Sequence, residues 1–212
     1  MQGAGDEVAL QEIKGTARIS GEFDSVKLAK IGQAVSFKSA RTDLEFARLD
    51  GDLDMDQGDL RASDLAGPFR LLTRSKDIRL TGMSGDVRLQ NENGAIEVHM
   101  NKLGSMEVSN RNSEIEVYLP DNAGFQLEAH VRGGEVESDF KDLKVENGND
   151  NGSASGTVGA GGPRLVLNSE HGTISIHKGS ALAEAPMPPQ PPAVPHPPRV
   201  PHPPAVPQET EN

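Results

Sequence analysis

The sequence predicts an all-β chain, a single-domain parallel β-helix (a solenoid of about 18 residues per coil) with a disordered proline-rich tail. Three observations predict this fold: short apolar pairs repeat regularly, large apolar side chains are scarce, and the composition changes abruptly after residue 179. We expect residues 1–179 to form the β-helix domain and residues 180–212 to form the tail.

The repeat consists of two apolar residues separated by one polar residue, which is the pattern of a short strand with one buried face. The first five intervals between pairs are nine residues, the next is seven, and nines and tens follow. Turn-forming residues such as Asp50-Gly51 and Asn93-Gly94 separate the pairs. The pairs are Val8/Leu10, Ala17/Ile19, Val26/Leu28, Val35/Phe37, Leu44/Phe46, Leu53/Met55, Leu60/Ala62, Phe69/Leu71, Ile78/Leu80, Val87/Leu89, Ile96/Val98, Met106/Val108, Ile115/Val117 and Phe125/Leu127.

A second period indicates that one coil contains two such units. Single apolar residues lie between alternate pairs at intervals of 18, 18, 16, 18 and 20 residues, namely Ile13, Ile31, Leu49, Leu65, Met83 and Leu103. Residues one coil apart should then stack at the normal strand spacing of about 4.8 Å. We therefore expect Ile78 to lie on Ile96 and Val87 on Met106. The alternative is an antiparallel all-β domain of short hairpins, which needs neither equal spacing nor a doubled period.

The low apolar content supports a repeat architecture. Hydrophobic residues make up 34% of the chain and aromatic residues 3%. A solenoid needs few large side chains, because each coil buries only a thin column against its two neighbours.

The regular repeat ends near Pro120. Residues 146–162 contain almost no side chain that fills a core, so we expect a flexible loop rich in Gly, Asn and Ser. The pairs Leu165/Leu167 and Ile174/Ile176 should then close the C-terminal end of the stack. The tail repeats Val-Pro-His-Pro-Pro, which is typical of polyproline II or disorder, and we interpret it as a spacer.

Composition limits the partners and the compartment. A net charge of -11 argues against a nucleic-acid partner, since binding phosphates requires clustered Lys and Arg. The chain has no cysteine for disulfides or thiolate sites, and no apolar stretch long enough to span a membrane. We expect a cytoplasmic protein if Met1 is the natural start, and an extracytoplasmic one if an N-terminal segment is missing.

No residue is expected to be catalytic, to bind a cofactor or to hold a metal. The motifs of serine hydrolases, nucleotide-binding loops and zinc sites are missing. Acidic residues that open strands are interpreted as solvated charge ladders, and these are Asp43, Asp52, Asp59, Asp77 and Asp86. Outward positions suggest a basic stripe giving way to an acidic one, formed by Arg70, Arg79 and Arg88 and by Glu97, Glu107 and Glu116.

The order and spacing of several segments resemble a bacterial family of β-helical domains of unknown function that are named as adhesins. The resemblance covers roughly residues 5–178. It is carried by residues 77–98, Leu119-Pro120, Gly124–Leu127, Ser138–Phe140, Gly161–Leu165 and His171–Lys178. It implies a β-helical fold, gives no catalytic residue to carry over, and implies an N-terminal export or anchor segment that this sequence does not show.

The functional hypothesis is a non-enzymatic, adhesin-like or scaffold module of the bacterial cell envelope that binds a protein or glycan surface through its flat strand faces. One alternative is a bactofilin-like cytoskeletal scaffold that self-associates end to end through uncapped coils. A second alternative is a polysaccharide-active β-helix enzyme.

Overall fold

The computed structural model describes residues 2–179, and the tail predicted at 180–212 lies outside the described residues. The described part is all-β, with fifteen strands and no helix, so the predicted class is confirmed. The strands are β1 (Gln2–Gln11), β2 (Ala17–Ile31), β3 (Val35–Lys38), β4 (Asp43–Met55), β5 (Asp59–Ser63), β6 (Leu65–Leu72), β7 (Asp77–Asn93), β8 (Ile96–Asn112), β9 (Ile115–Leu119), β10 (Phe125–Arg132), β11 (Val136–Ser138), β12 (Lys144–Asn147), β13 (Asn151–Val158), β14 (Arg164–His171) and β15 (Ile174–Lys178).

The central strands pair in parallel at the spacing that the sequence predicts. Strands β5 and β6 pair with β7, and β7 pairs with β8, so that most paired residues are one predicted coil apart. Ile78 lies beside Ile96, and Val87 lies beside Met106, so both expected ladders are confirmed. The inward columns of these strands are therefore built from residues that occupy equivalent places in the repeat.

Strand β4 interrupts this parallel order. It runs antiparallel to β2 and β3 on one side and to β5 and β6 on the other. A single parallel β-helix, in which every coil winds the same way, is therefore not what the strands form. The physical reason is symmetry: an apolar-x-apolar pair presents the same inward face when its strand is reversed, so the repeat does not determine strand direction.

Two tight turns bring about the reversal. Ser39 Oγ accepts hydrogen bonds from the backbone N–H of Arg41 (3.3 Å) and Thr42 (3.1 Å). Asp56 Oδ1 accepts from the N–H of Gly58 (2.8 Å) and Asp59 (2.7 Å). Short polar side chains that bind the backbone in this way favour hairpin turns. The second turn accounts for the one short interval in the repeat, between Leu53 and Leu60.

The C-terminal strands are not stacked in chain order. Strand β14 lies between β8 and β10, and β15 lies between β9 and β11, all in parallel. The expectation that residues 165–176 close the end of the stack is therefore wrong. The strand at that end of the order is β12, which pairs antiparallel with β13.

The flexible loop expected at residues 146–162 is also wrong, because Asn151–Val158 within it form β13 and its first two residues belong to β12. Along its full length β13 pairs antiparallel with β10. Its inward residues are small because the site leaves no room: Ala154 lies opposite Ala129, and a Cβ added to Gly152 would come within 2.9 Å of Val131. Small residues can indicate disorder, but here they fit a narrow column.

The core is a set of inward columns along the stack. Alternate residues of β10 are buried and exposed along the whole strand, and the inward residues of β9 are buried in the same way. Every buried Leu or Ile stabilises the fold by roughly 1.5–3 kcal/mol relative to exposure. Because apolar side chains fill the interior, most charged and polar side chains lie on the outward faces.

Candidate binding surfaces and a polar pocket at the chain reversal

Two rows of charged side chains cross the outward faces of the central strands. In the first row, Arg61, Arg79, Glu97 and Glu116 are neighbours on β5, β7, β8 and β9. Arg79 Nη2 lies 2.6 Å from Glu97 Oε2. The arginine of this pair is largely exposed, so the pair adds little stability and leaves the row open to a partner.

The second row lies on the neighbouring outward face of the same strands. Arg70, Arg88 and Glu107 are neighbours on β6, β7 and β8. Arg88 Nη2 lies 3.3 Å from Glu107 Oε2. The single stripe expected from the sequence is therefore divided into two separate rows, each basic at one end and acidic at the other.

The acidic residues that open strands have a structural role at two positions. Asp77 Oδ1 accepts a hydrogen bond from Ala95 N–H (2.9 Å), and Asp86 Oδ1 accepts one from Ser105 N–H (2.8 Å). Each carboxylate thus binds the backbone one coil further along the chain. Within residues 2–179, no three His, Cys, Asp or Glu side chains are grouped so that they could hold a metal ion.

An aromatic row, which sequence reasoning missed, follows the first charged row. Tyr118 stacks on His99 with ring centroids 4.1 Å apart and on His177 at 4.9 Å. His99 Nε2 lies 2.7 Å from Glu97 Oε1, and burial, followed by Glu116, raises the pKa of the Tyr118 hydroxyl. The signal in the sequence was the separation of His99 from Tyr118, which is close to one predicted coil.

A polar pocket lies where β3 turns into β4, and we call it the reversal pocket. Its volume is about 430 Å³, within the range of small-ligand sites. The turn Ser39–Thr42 forms one wall and the ends of β6, β7 and β8 form the other. It is lined by Ser39, Ala40, Arg41, Thr42, Asp43, Leu72, Thr73, Arg74, Gln90, Asn91, Glu92, Ser109 and Arg111.

Buried polar groups line the inner side of the reversal pocket. The hydroxyls of Thr42 and Thr73 are 3.1 Å apart in one hydrogen bond, and both residues are buried. Asn91 Nδ2 donates to the carbonyls of Lys76 (2.8 Å) and Asn93 (2.7 Å). Asn91 Oδ1 is buried and has no hydrogen-bond partner among the described residues. Such an acceptor is uncommon in native proteins.

Arginines lie at the rim of the reversal pocket. Arg41 lies in the Ser39–Thr42 turn and Arg74 lies just after β6 ends, and both line the reversal pocket. Both side chains are exposed, and neither guanidinium has an ion pair or hydrogen bond with a described residue. Arg111, by contrast, lies 3.3 Å from Glu170.

An adjoining depression shares the turn Ser39–Thr42 with the reversal pocket. It contains Lys76, which is buried and whose Nζ donates a hydrogen bond to the backbone carbonyl of Asp56. Burial lowers the pKa of the Lys76 ammonium, and the carboxylates of Asp56 and Asp59 oppose that shift. The same depression is lined by Arg41 and Arg74, so a third cation adjoins the two rim arginines.

The strands at the two ends of the sheet differ in length and in how their free edges are protected. Among the described residues, the ten-residue strand β1 pairs only with β2. The opposite end strand, β12, has four residues and is exposed throughout, with Lys144 Nζ lying 2.7 Å from Glu146 Oε1. A short, charged strand is a protected edge.

The stacked strands and the outward charged rows place the chain in the class of proteins built from repeated β-strands. The model of the Toastrack DUF4097 family matches residues 7–177, so the chain belongs to that family. No curated protein matches the sequence. Among the described residues, no helix has the length and apolar character needed to cross a membrane.

One solved structure is similar in outline. It is a cell adhesion protein from Clostridium sporogenes, a role that its own description gives as provisional. It shares 12% sequence identity over 82% of this chain and 92% of its own, with a TM-score of 0.33.

Proposed function

We propose that the chain is a non-enzymatic, adhesin-like binding module of the bacterial cell envelope that engages its partner through outward strand faces. The module is a β-helix-like stack in which β4 and β13 run against their neighbours, and residues 180–212 act as a spacer. The single observation that carries this function is the pair of charged rows on the central strands. These rows combine both signs of charge on a broad, regular surface.

The two rows add little to folding. Exposed ion pairs contribute about 0–1 kcal/mol, so Arg88 and Glu107 can exchange partners at small cost. Arg79 is also largely exposed, although its partner Glu97 is mostly covered and bonded to His99. A regular row of exposed charges can meet a polymer with repeated charges at several points at once. The weak contacts then combine, so that the overall affinity for the polymer exceeds the affinity of any single contact.

The test is adsorption of the purified chain to isolated bacterial envelope fractions, measured by sedimentation over a range of salt concentrations. We expect retention that weakens as salt rises, because exposed charges are screened over about 10 Å at 0.1 M ionic strength. Charge reversal at Arg79→Glu and Arg88→Glu should reduce retention severalfold. The matched control is Arg48→Glu, which lies on β4 outside both rows.

Two outcomes contradict the proposal. One is the absence of retention at every salt concentration. The other is equal retention of the row variants and the Arg48→Glu control. The envelope location is tested separately by fractionating the producing cell, where recovery of the protein in the cytoplasm alone would contradict it.

A further inference from the structure

We propose that the reversal pocket binds the carboxylate of an acidic sugar, a uronic-acid residue of a polysaccharide. This inference names a ligand class for the binding module and rests on the proposed function to that extent. Its basis is one juxtaposition: two arginines whose guanidiniums have no partners among the described residues line the same pocket as several hydroxyl and amide side chains.

The charge of the pocket favours an anion. The pocket is lined by three arginines and by two carboxylates, Asp43 and Glu92, so its lining has a net positive charge in a chain whose net charge is -11. Arg111 is already paired with Glu170. Arg41 and Arg74 remain without a counter-ion among residues 2–179, and a bound anion would supply one.

The shape of the arginine side chain favours a carboxylate. A guanidinium presents paired N–H donors that match the two oxygens of a carboxylate, and such paired bonds are shorter and stronger than neutral ones. Two arginines that line the same pocket can bind one carboxylate together. Phosphate would also suit an arginine, so the choice between the two anions depends on the rest of the lining.

The rest of the lining suits a sugar. Hydroxyl and amide groups from Ser39, Thr73, Gln90, Asn91 and Ser109 line the pocket. Sugar hydroxyls both donate and accept hydrogen bonds, which suits hydroxyl and amide side chains such as Ser39, Gln90 and Ser109. No aromatic side chain lines the pocket, so a nucleotide base has no surface on which to stack.

The position of the pocket in the fold gives independent support. It is formed at the turn where β3 reverses into β4, which is one of the two turns at which the strand order departs from the regular repeat in this half of the chain. Departures from local regularity concentrate at functional sites, where stability is given up for a ligand.

The experiment is calorimetric titration of the full chain with an oligouronate of four sugars. The neutral oligosaccharide of the same backbone and a sulfated one serve as parallel ligands. We expect binding of the oligouronate, no binding of the neutral ligand, and weaker binding of the sulfated one. Arg41→Gln and Arg74→Gln should each weaken oligouronate binding at least tenfold, whereas Arg48→Gln should leave it unchanged.

The Glu92→Gln variant should change oligouronate binding in the opposite direction to the arginine variants. It removes a carboxylate that competes for the same arginines, so oligouronate binding should tighten severalfold. A melting curve for each variant confirms that it is folded before titration.

The inference is overturned if the oligouronate does not bind, if the neutral or sulfated ligand binds as tightly, or if Arg48→Gln weakens binding as much as Arg74→Gln does. When the chain still adsorbs to envelope fractions in a salt-dependent way but fails to bind oligouronate, the ligand class is wrong and the proposed function stands. When adsorption fails as well, both are contradicted.

Discussion

The central strands β7 and β8 and the reversed strand β4 carry the same apolar repeat but obtain their direction in different ways. Strands β7 and β8 follow each other in parallel, with Ile78 beside Ile96. Strand β4 lies between two hairpin turns and runs against all of its neighbours. The repeat therefore determines which residues are inward, while the connections determine which way each strand runs.

The connections differ in chemistry. At Asn93-Gly94 the parallel strands are joined by a tight corner at which Gly94 has a φ of 100°. The hairpin at residues 56–58 instead relies on a carboxylate that accepts two backbone N–H groups. This parallel corner therefore depends on glycine, and the reversed strand depends on side-chain hydrogen bonds.

Gly94→Ala should have the largest effect. An added Cβ would overlap the backbone carbonyl of Lys76, and the positive φ is unfavourable for alanine. We expect the free energy of unfolding to fall by about 3 kcal/mol, measured by urea denaturation. The control is Gly58→Ala in the hairpin, where a Cβ meets only Asp56 Oδ1 at 3.8 Å and the change should be small. Equal losses at the two sites would contradict the distinction between corners and hairpins.

Asn91→Ala should have the second-largest effect. The buried amide donates to three backbone carbonyls around the same corner, those of Lys76, Asn93 and Gly94. The Lys76 carbonyl would lose its donor, whereas the carbonyls of Asn93 and Gly94 keep hydrogen bonds from Lys76 N–H and Asn110 Nδ2, so we expect a loss of about 2 kcal/mol in thermal or urea unfolding. Asn93→Ala, an exposed amide at the same corner, is the matched control and should cost clearly less.

Asp56→Ala tests the hairpin directly. Removing the acceptor of two backbone N–H groups should cost about 1 kcal/mol in unfolding at neutral pH. Asp56→Asn keeps an acceptor oxygen and should cost less. A variant as stable as the wild type would show that the turn forms without its carboxylate.

The same residue gives a pH dependence. Backbone hydrogen bonds from Asp59 and Gly58 lower the pKa of Asp56 below its usual value of 3.8. A lowered pKa in the folded state means that this contribution is fully present above about pH 4 and is lost as the pH falls through the folded pKa. The stability difference between wild type and Asp56→Ala should therefore shrink below about pH 4. A difference that stays constant as the pH is lowered further would contradict the assignment.

Arg79→Ala should have the smallest effect. The arginine is 59% exposed and Glu97 is 19% exposed, so we expect a loss of about 0.5 kcal/mol that disappears at high salt. On β4, Arg48→Ala removes a pair in which both partners are more than half exposed, and no measurable change is expected. A large, salt-independent loss for Arg79→Ala would show that the row is structural and would weaken the case for a binding surface.

The sequence was enough to predict most of the residues whose side chains point into the core. The apolar pairs, the offset of one coil between paired strands and the ladder of Val87 on Met106 follow from periodicity alone, because burial on one face requires alternation. Strand direction could not be predicted, because reversing β4 leaves the same residues inward. The short interval between Leu53 and Leu60 was the one visible sign of a hairpin.

The candidate site was not predictable from spacing. Arg41 and Arg74 are far apart in the sequence and line the same pocket at the turn that precedes the reversed strand β4. A search that assumes one winding direction places them on different coils. The stacking of His99, Tyr118 and His177 was likewise hidden, since His177 reaches its position through the insertion of β15 beside β9.

The insertion of β14 between β8 and β10 governs the order in which the molecule can be assembled during synthesis. Strands β8 and β10 are made first, but the partner that joins them leaves the ribosome only after residues 133–163. Until then each presents an unsatisfied edge to the other or to a neighbouring chain. A chaperone that shields these edges until residues 164–171 have been made should therefore raise the yield of folded chain.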